Sequence, residues 1–454
     1  MQWKYPLFAT LVASIFISIY GQSKTGIILT SVFAVILAYF FEEEMLYLSI
    51  LLFPWIDGKV MFGFTLTPKY IVIPAYCVSY VIHRMQQRKP VLAWHPPAIA
   101  LYVLLLYAVV ITPIQSLAIN NTIDFGEYRS TIINHPAMRG LARVLFVAFL
   151  VLYATAIAQR KKIDDLIKLH ISLATVLCLV GIIIYAIDLF APFEAWKFFL
   201  IKHQATPRLR ATLLEPLFFA AYLLTVLPLT AWAIHGRKFW SRRVTTLALG
   251  VQSIAFLLTF SRAAFIGILL ATGYLLLSSR HRSKIMRYSI MTLPFLLSIA
   301  ALLFTNDTIE QIANEQIIGS FVPHSTKWWS TLSRLIAVEK AVGAFVQHPI
   351  LGIGWENFIF YAGKNTISWI TGTEQQVLLP EVTVFPLRVL AELGIIGFAI
   401  FAVFVWSLLS TVRKQQHLTF MMISLAGILF FISAVSFPFF WFALGLLMRN
   451  RATF

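Results

Sequence analysis

His348-Pro-Ile-Leu-Gly-Ile-Gly-Trp-Glu-Asn-Phe358 stands late in a long, mostly polar insert, and Leu390-Ala-Glu-Leu-Gly-Ile-Ile-Gly397 opens the apolar run that follows it. The insert extends from Thr305 to Phe385 and interrupts a chain that is otherwise hydrophobic. Across the chain 59% of residues are hydrophobic and only 12% charged, with a mean hydropathy of +0.81. Those values exclude an ordinary soluble domain. Repeated apolar runs approach the roughly 20 residues that cross a bilayer as a helix. The period-2 alternation of a transmembrane β-barrel is absent. The expected fold is therefore an all-α, polytopic transmembrane helical bundle, with a long and partly helical extracytoplasmic loop before its last helices. That loop is where the chemistry is expected.

Apolar runs place spans near residues 6–20, 26–41, 45–57, 70–82, 97–118, 141–159, 167–190, 212–234, 244–260, 263–278, 288–304, 386–410 and 420–448. The last is broken at Phe437-Pro438 and reads as two short helices or one kinked one. The total is about 12–14 helices, an even number fitting the similar charge at both chain ends. Three outer connections are substantial: Ile119–Gly140, Ala191–Ala211 and the insert, where Leu332 to Val346 has helical apolar spacing. Basic clusters recur on every second connection: Arg84/Arg88/Lys89, Arg160-Lys-Lys162, Arg237/Lys238/Arg242/Arg243, Arg280/Arg282/Lys284/Arg287 and Arg413-Lys414. By the positive-inside pattern, these connections and both termini are cytoplasmic. The net charge of +17 is thus read as topology, and nucleic acid is not expected as a partner. Lys197, Lys202, Arg208, Arg210, Arg262, Lys327, Arg334 and Lys340 fall outside that pattern, so the outer face is expected to meet an anion. Cys77 and Cys178 lie inside apolar runs and read as packing residues. The first run lacks a small-residue cleavage site and is expected to be retained.

Pro207-Arg-Leu-Arg-Ala-Thr-Leu-Leu-Glu-Pro216 puts Arg208 and Arg210 just outside a span, with Glu215 at its start. Guanidinium groups bind phosphate through paired N–H donors, and the low dielectric of a membrane rim strengthens that attraction. The alternative is that both arginines only snorkel to lipid headgroups. Arg262, in Leu258-Thr-Phe-Ser-Arg-Ala-Ala-Phe-Ile-Gly267, lies between two apolar runs with almost no loop. A charge there calls for an ion-pair partner such as Glu215 or Glu392, or for a water-filled cavity. In the insert, Arg334 precedes the Gly352-Ile-Gly354 turn, whose entry Pro349 fixes. Arg388 and Glu392 stand four apart on one helix face and are expected to orient each other or line the cavity.

In chain order, Arg210 before Glu215-Pro, then Leu-Thr-Phe-Ser-Arg-Ala-Ala, then Arg334 ahead of the His-Pro stretch, then Leu-Ala-Glu-Leu-Gly-Ile-Ile-Gly, resemble the O-antigen ligase and polymerase superfamily. The resemblance covers Thr206 to Leu409, while the first half of the chain is similar only in being hydrophobic. It implies an integral-membrane glycosyltransferase of the GT-C type. Such an enzyme takes a glycan from an undecaprenyl-diphosphate carrier outside the cytoplasmic membrane and passes it to an acceptor hydroxyl, with no metal or other cofactor. It places the donor-phosphate arginines on Arg210 (or Arg208) and Arg334. From their own positions, Glu215, Arg262, Arg388 and Glu392 are expected to line the substrate site. Family ligases carry a His at a fixed distance before the Gly-x-x-Gly of the following helix. Counting back from Gly394-Ile-Ile-Gly397 reaches Thr383 and Val384 instead. A threonine does not accept a proton at neutral pH. Glu381, two residues earlier, is the nearest carboxylate and the candidate base, provided burial raises its pKa. Glu356, Glu374, His324 and His348 share the loop.

A departing diphosphate accumulates negative charge, so arginines beside its oxygens stabilise the transition state selectively. A divalent metal can do the same, but the outer loops hold no Asp-x-Asp pair or His/Cys ligand set. Trp328, Trp329, Trp355, Tyr361 and Trp369 can stack on sugars or anchor the interface, the second being the expected role for most. The expected organisation is N-terminal helices over 1–205, a ligase-like region over 206–410 containing loop 305–385, and C-terminal helices over 411–454. Together these readings describe a polysaccharide polymerase or ligase, multi-pass in the bacterial cytoplasmic (inner) membrane, with its active face extracytoplasmic. Its partners would be an undecaprenyl-diphosphate-linked glycan, a glycan or lipid-linked acceptor, and membrane lipids. The missing histidine favours polymerase. A transporter or flippase of the same lipid-linked oligosaccharide is the rival, and the chain shows none of the internal repeat such proteins usually carry. A catalytically inactive binding scaffold is the third reading.

Overall fold

The computed structural model describes residues 4–54, 59–61, 64–118, 136–190, 199–203, 206–213, 215–236, 239–278, 326–362, 364–367, 375–378, 382–432 and 436–449. Over these the chain is a polytopic helical bundle. The first half supplies α1 (Lys4–Tyr20), α2 (Lys24–Phe40), α3 (Glu42–Leu51), α4 (Lys69–Gln86), α5 (Pro96–Ala118), α6 (Pro136–Gln159) and α7 (Asp164–Phe190). The second half supplies α8 (Pro216–Gly236), α9 (Arg242–Leu258), α10 (Arg262–Ser278), α11 (Thr326–Gln347), α12 (Phe358–Ala362), α13 (Phe385–Val412), α14 (Gln416–Ile428) and α15 (Pro438–Met448). Among the described residues, α5, α6, α7, α8 and α13 are long and apolar enough to cross a membrane, and α1, α2, α10, α14 and α15 are apolar but shorter. The break expected at Phe437-Pro438 separates α14 from α15, and the helix expected over Leu332 to Val346 is α11. The span expected over 288–304 lies outside the described residues.

Among the described residues, three short antiparallel hairpins decorate the connections, none of which the apolar pattern announces. They pair β1 (Lys59–Met61) with β2 (Phe64–Leu66), β3 (Leu200–His203) with β4 (Thr206–Leu209), and β5 (Lys364–Ile367) with β6 (Gln375–Leu378). Strand β4 holds Arg208 opposite Ile201. After it the chain turns, Leu213 N–H donating to the Arg210 carbonyl at 3.1 Å, and this turn delays α8 to residue 216 instead of 212.

Close helix crossings use small residues, as packing within a bilayer requires. A Cβ on Gly267 of α10 would lie 2.6 Å from the Ser424 carbonyl oxygen of α14, and one on Gly445 of α15 would lie 2.7 Å from the Ala154 carbonyl oxygen of α6. Cys77 and Cys178 are buried free thiols.

Proline opens α4, α6, α8, α13 and α15, at Pro68, Pro136, Pro216, Pro386 and Pro438, where a missing N–H costs nothing. These helix starts gather at one end of the bundle. There Lys69 Nζ donates to the Ser436 carbonyl at 3.0 Å, Arg143 donates to the Tyr70 hydroxyl at 3.4 Å, and the Phe218 and Phe437 rings lie 4.6 Å apart. At the other end the same helices finish. Arg449 donates to the Lys161 carbonyl at 3.0 Å, His417 stacks on Trp232 at 5.2 Å, and Glu42 binds His83 at 3.0 Å and Arg160 at 3.6 Å. The described residues of the basic clusters, among them Arg84, Arg160, Arg242 and Arg413, fall at this second end. The candidate chemistry falls at the first.

Candidate active site at the proline end of the bundle

The His348–Phe358 loop docks onto a deliberate break in α13. Gly394 leaves helical geometry (φ 64°, ψ −168°), and a Cβ there would meet the Ile350 carbonyl oxygen at 2.3 Å. Gly352 (φ 71°) approaches the Glu392 backbone equally closely, with a Cβ contact of 2.4 Å. Only glycine fits at either position. Backbone groups released by the break are paired by the loop: Ile353 N–H donates to the Ala391 carbonyl at 3.1 Å, Gly354 N–H to the Glu392 carbonyl at 2.8 Å, and Ile395 N–H to the Pro349 carbonyl at 2.9 Å. Helix α5 fixes the far side of the loop. Trp355 N–H donates to Thr112 Oγ1 at 3.0 Å, and Asn357 Nδ2 donates to Ser116 Oγ at 2.9 Å.

This docking delivers Glu356 into a buried knot of charge. Arg388 binds Glu356 at 2.8 Å and Glu392 at 3.2 Å, while the Glu356 backbone N–H donates to the Glu392 carboxylate at 3.0 Å. From α6, Arg139 reaches the other Glu356 oxygen at 3.6 Å. The Arg388 guanidinium lies over the Trp355 ring, 4.9 Å from its centroid. Burial alone would push the Glu356 carboxyl up, but Arg388, Arg143 and Arg139 outweigh it and hold the group at about 2. Glu356 is therefore an anchor and a very poor base. The expected Arg388–Glu392 pair is present, with a third partner that spacing on one helix does not show.

The remaining arginines form a separate patch. Arg208 is half-buried on β4, its Nε donating to the Thr259 carbonyl at 3.1 Å and a terminal nitrogen to the Phe260 carbonyl at 3.1 Å. Those carbonyls belong to the tight turn between α9 and α10. Burial, then the positive charge of Arg262, brings the Arg208 guanidinium down to about 10, with Glu215 opposing. Arg262 opens α10 at the surface, within electrostatic reach of Arg334 on α11. Arg334 is half-buried, and its side chain has no hydrogen-bond or ion-pair partner among the described residues.

The profile of the family described as O-antigen ligase matches residues 245–402, from α9 through most of α13. Over these residues the chain is related to the O-antigen ligase and polymerase superfamily. No curated protein matches it individually. The O-antigen ligase stretch contains Arg262, Arg334, Glu356, Arg388 and Glu392, and leaves out Arg208, Arg210 and Glu215.

Of the residues singled out in the sequence, the structure brings Arg208, Arg262, Arg334 and the exposed Glu215 into one electrostatic neighbourhood. Arg388 and Glu392 belong to the knot instead. Of the two carboxylates expected as partners for Arg262, the knot engages Glu392, and Arg334 is a charge that acts on Arg262. Arg210 is half-buried in the turn after β4, where its N–H donates to the Phe199 carbonyl at 2.9 Å. Thr383 is half-buried just before α13. Glu381, Glu374, His324 and Trp369 lie outside the described residues, as do the side chains of Trp328 and Trp329. Trp355 is 7% exposed, with the Arg388 guanidinium over its ring. Missed entirely were Lys69, Arg139 and Arg143. The signal for the last two was available: Pro136-Ala-Met-Arg-Gly-Leu-Ala-Arg143 sets two arginines one helical turn apart at the end of a span that carries no cytoplasmic-type cluster.

Proposed function

We propose that this protein is a membrane glycosyltransferase that transfers or polymerises an undecaprenyl-diphosphate-linked glycan onto an acceptor hydroxyl at the extracytoplasmic face. The observation that carries this reading is Arg334, a half-buried guanidinium without a partner among the described residues, standing beside a second arginine. Like charges so placed repel, and a diphosphate between them reverses the sign of that interaction. Arg210, or Arg208 beside it, completes the donor grip, with Glu215 and Arg262 at its rim.

In the reaction the acceptor oxygen forms a bond to the anomeric carbon of the donor sugar. The bond from that carbon to the phosphate oxygen breaks, and undecaprenyl diphosphate leaves with the electron pair. Arginines matched to the departing oxygens act where charge develops. The hydroxyl proton goes to a base, for which Glu381 is proposed. Glu356 is disfavoured because three arginines keep it ionised and weakly basic, and Glu392 is already engaged by Arg388 and the Glu356 amide.

The test is transfer in membranes by the Arg210→Ala and Arg334→Ala variants, scored by glycan length and by release of the lipid diphosphate. Loss of one such electrostatic donor is expected to lower turnover by about 100-fold or more. Undiminished product from both variants defeats the assignment. Flipping of an unaltered carrier by purified protein would favour a transporter instead.

A further inference from the structure

At the end of the bundle away from the candidate active site, an open hollow of about 410 Å³ lies between the last turns of α4 and α6 and the loop leading into α5. Three cations line it: Arg84 near the end of α4, and Arg160 and Lys161 just past the end of α6. Among the described residues no carboxylate lines it. Arg160 is engaged by α3, pairing with Glu43 at 2.7 Å and with Glu42 at 3.6 Å. Arg84 and Lys161 have no ion-pair partner among the described residues. The Arg84 Nε donates to the Tyr80 hydroxyl at 3.4 Å, which leaves its terminal nitrogens as donors, and Lys161 is exposed. Like charges on one hollow repel, and an anion between them reverses that interaction.

The frame that presents these cations is fixed. The Val91 carbonyl accepts from the Tyr80 hydroxyl at 3.0 Å and from Gln159 Nε2 at 3.3 Å, and the Ala93 N–H donates to the Tyr102 hydroxyl at 3.0 Å. The loop before α5 is thereby tied to α4, α5 and α6. Positive-inside bias accounts for basic residues at this end, and it does not require that they share a hollow.

The apolar surroundings say what kind of anion fits. Trp94 lines the hollow and is 74% exposed, the setting in which an indole anchors at a membrane interface. His95 lines it too, and its carbonyl accepts from the Ile99 N–H at 3.0 Å, so the hollow runs directly into α5. Ile99, Val103, Leu106 and Val110 then follow at helical spacing along one face of that membrane-crossing helix, each 40–64% exposed. A soluble anion would use neither Trp94 nor this stripe. A phospholipid uses both.

We propose that Arg84 and Lys161 bind the phosphate of an anionic phospholipid from the leaflet at this end of the bundle, its acyl chains lying along the α5 face from Ile99 to Val110. The site shares no residue with the Arg334 patch at the opposite end, and it stands or falls separately from the function proposed for that patch.

Titration of the detergent-purified full chain by native mass spectrometry tests this, with palmitoyl-oleoyl phosphatidylglycerol, the matching phosphatidylcholine and inorganic phosphate as probes. Phosphatidylglycerol is expected to bind in preference to phosphatidylcholine. The double variant Arg84→Gln, Lys161→Gln is expected to weaken that binding roughly tenfold or more. Arg413→Gln, which removes a cation of the same end outside the hollow, is expected to leave it unchanged. Equal binding by wild type and the double variant overturns the proposal, as does equal binding of phosphatidylcholine. An equal loss in Arg413→Gln reduces the effect to diffuse surface charge and overturns the site. Inorganic phosphate that displaces phosphatidylglycerol at matched concentration overturns the assignment to a lipid. Should the double variant fail to fold, Lys161→Gln at its exposed position decides alone, with a roughly fivefold loss expected and no loss overturning the proposal.

Discussion

Two groups of arginines lie at the proline end of the bundle, and they differ in what surrounds them. In the knot, Arg388 and Arg139 hold Glu356 and Glu392 in direct ion pairs, nearly sealed from solvent. In the patch, Arg334 has no ion-pair partner among the described residues and faces the like charge of Arg262. The knot's charges are satisfied within the fold, so its work is architectural: it pins the His348–Phe358 loop, α6 and α13 to one another. The Arg334 charge, within that patch, is left for something that binds. Sequence alone pairs Arg388 with Glu392 but brings neither Glu356 nor Arg139 to them, and the full difference is visible only in the partners.

The sharpest way to break this comparison is to remove Arg388. Two carboxylates would then stay buried with their main counter-ion gone, and such losses cost about 3–5 kcal/mol. Arg388→Ala is therefore expected to lower the melting temperature and the yield of folded protein in detergent, whatever happens to transfer. Arg334→Ala should do the reverse, lowering transfer while leaving the melting temperature near that of wild type. If both variants melt like wild type, the knot is not structural and the division between the clusters fails.

A second, smaller effect sharpens the same contrast through pH. The folded Glu356 carboxyl lies at about 2 against an ordinary 4.5. Its contribution to stability is thus fully present above pH 4.5 and is lost as pH falls through about 2. Thermal midpoints of wild type and Glu356→Gln, followed from neutral pH downward, are expected to be well separated above pH 4.5 and to converge near pH 2. Parallel curves across that window would show that Glu356 is not held by its arginines.

Much of the bundle was legible because spans report their own ends. The run expected over 97–118 is α5 at Pro96–Ala118, and that over 386–410 is α13 at Phe385–Val412. Arg388 and Glu392 could be paired in advance because helical periodicity brings residues four apart together. Glu356 could not be joined to them, since it arrives from a loop whose contact with α13 is tertiary and follows no local period. The break at Gly394 was hidden for the same reason. Its sequence suits a continuous helix, and the loop's own carbonyls and amides are what make the break affordable. Lys69 and Arg143 sit on α4 and α6, far apart in the chain, and no local pattern links them. The hairpins escaped because strands of three or four residues carry too little alternation to read.

Arg208 gives the smallest effect and the finest test, because it belongs to the patch by position and resembles the knot by bonding. Its Nε and one terminal nitrogen each donate to a backbone carbonyl of the α9–α10 turn, at Thr259 and Phe260. A lysine there would keep the charge, but its single nitrogen lacks the planar fork that spans two carbonyls. Arg208→Lys is expected to cost about 1 kcal/mol of stability, the worth of one lost hydrogen bond, and to change transfer less than tenfold. Arg334→Lys, at a position where the donors are free for phosphate, is expected to lower transfer more than Arg208→Lys does, with no change in melting temperature. The opposite ranking would move the donor contact from α11 to β4 and leave Arg334 as the surface charge.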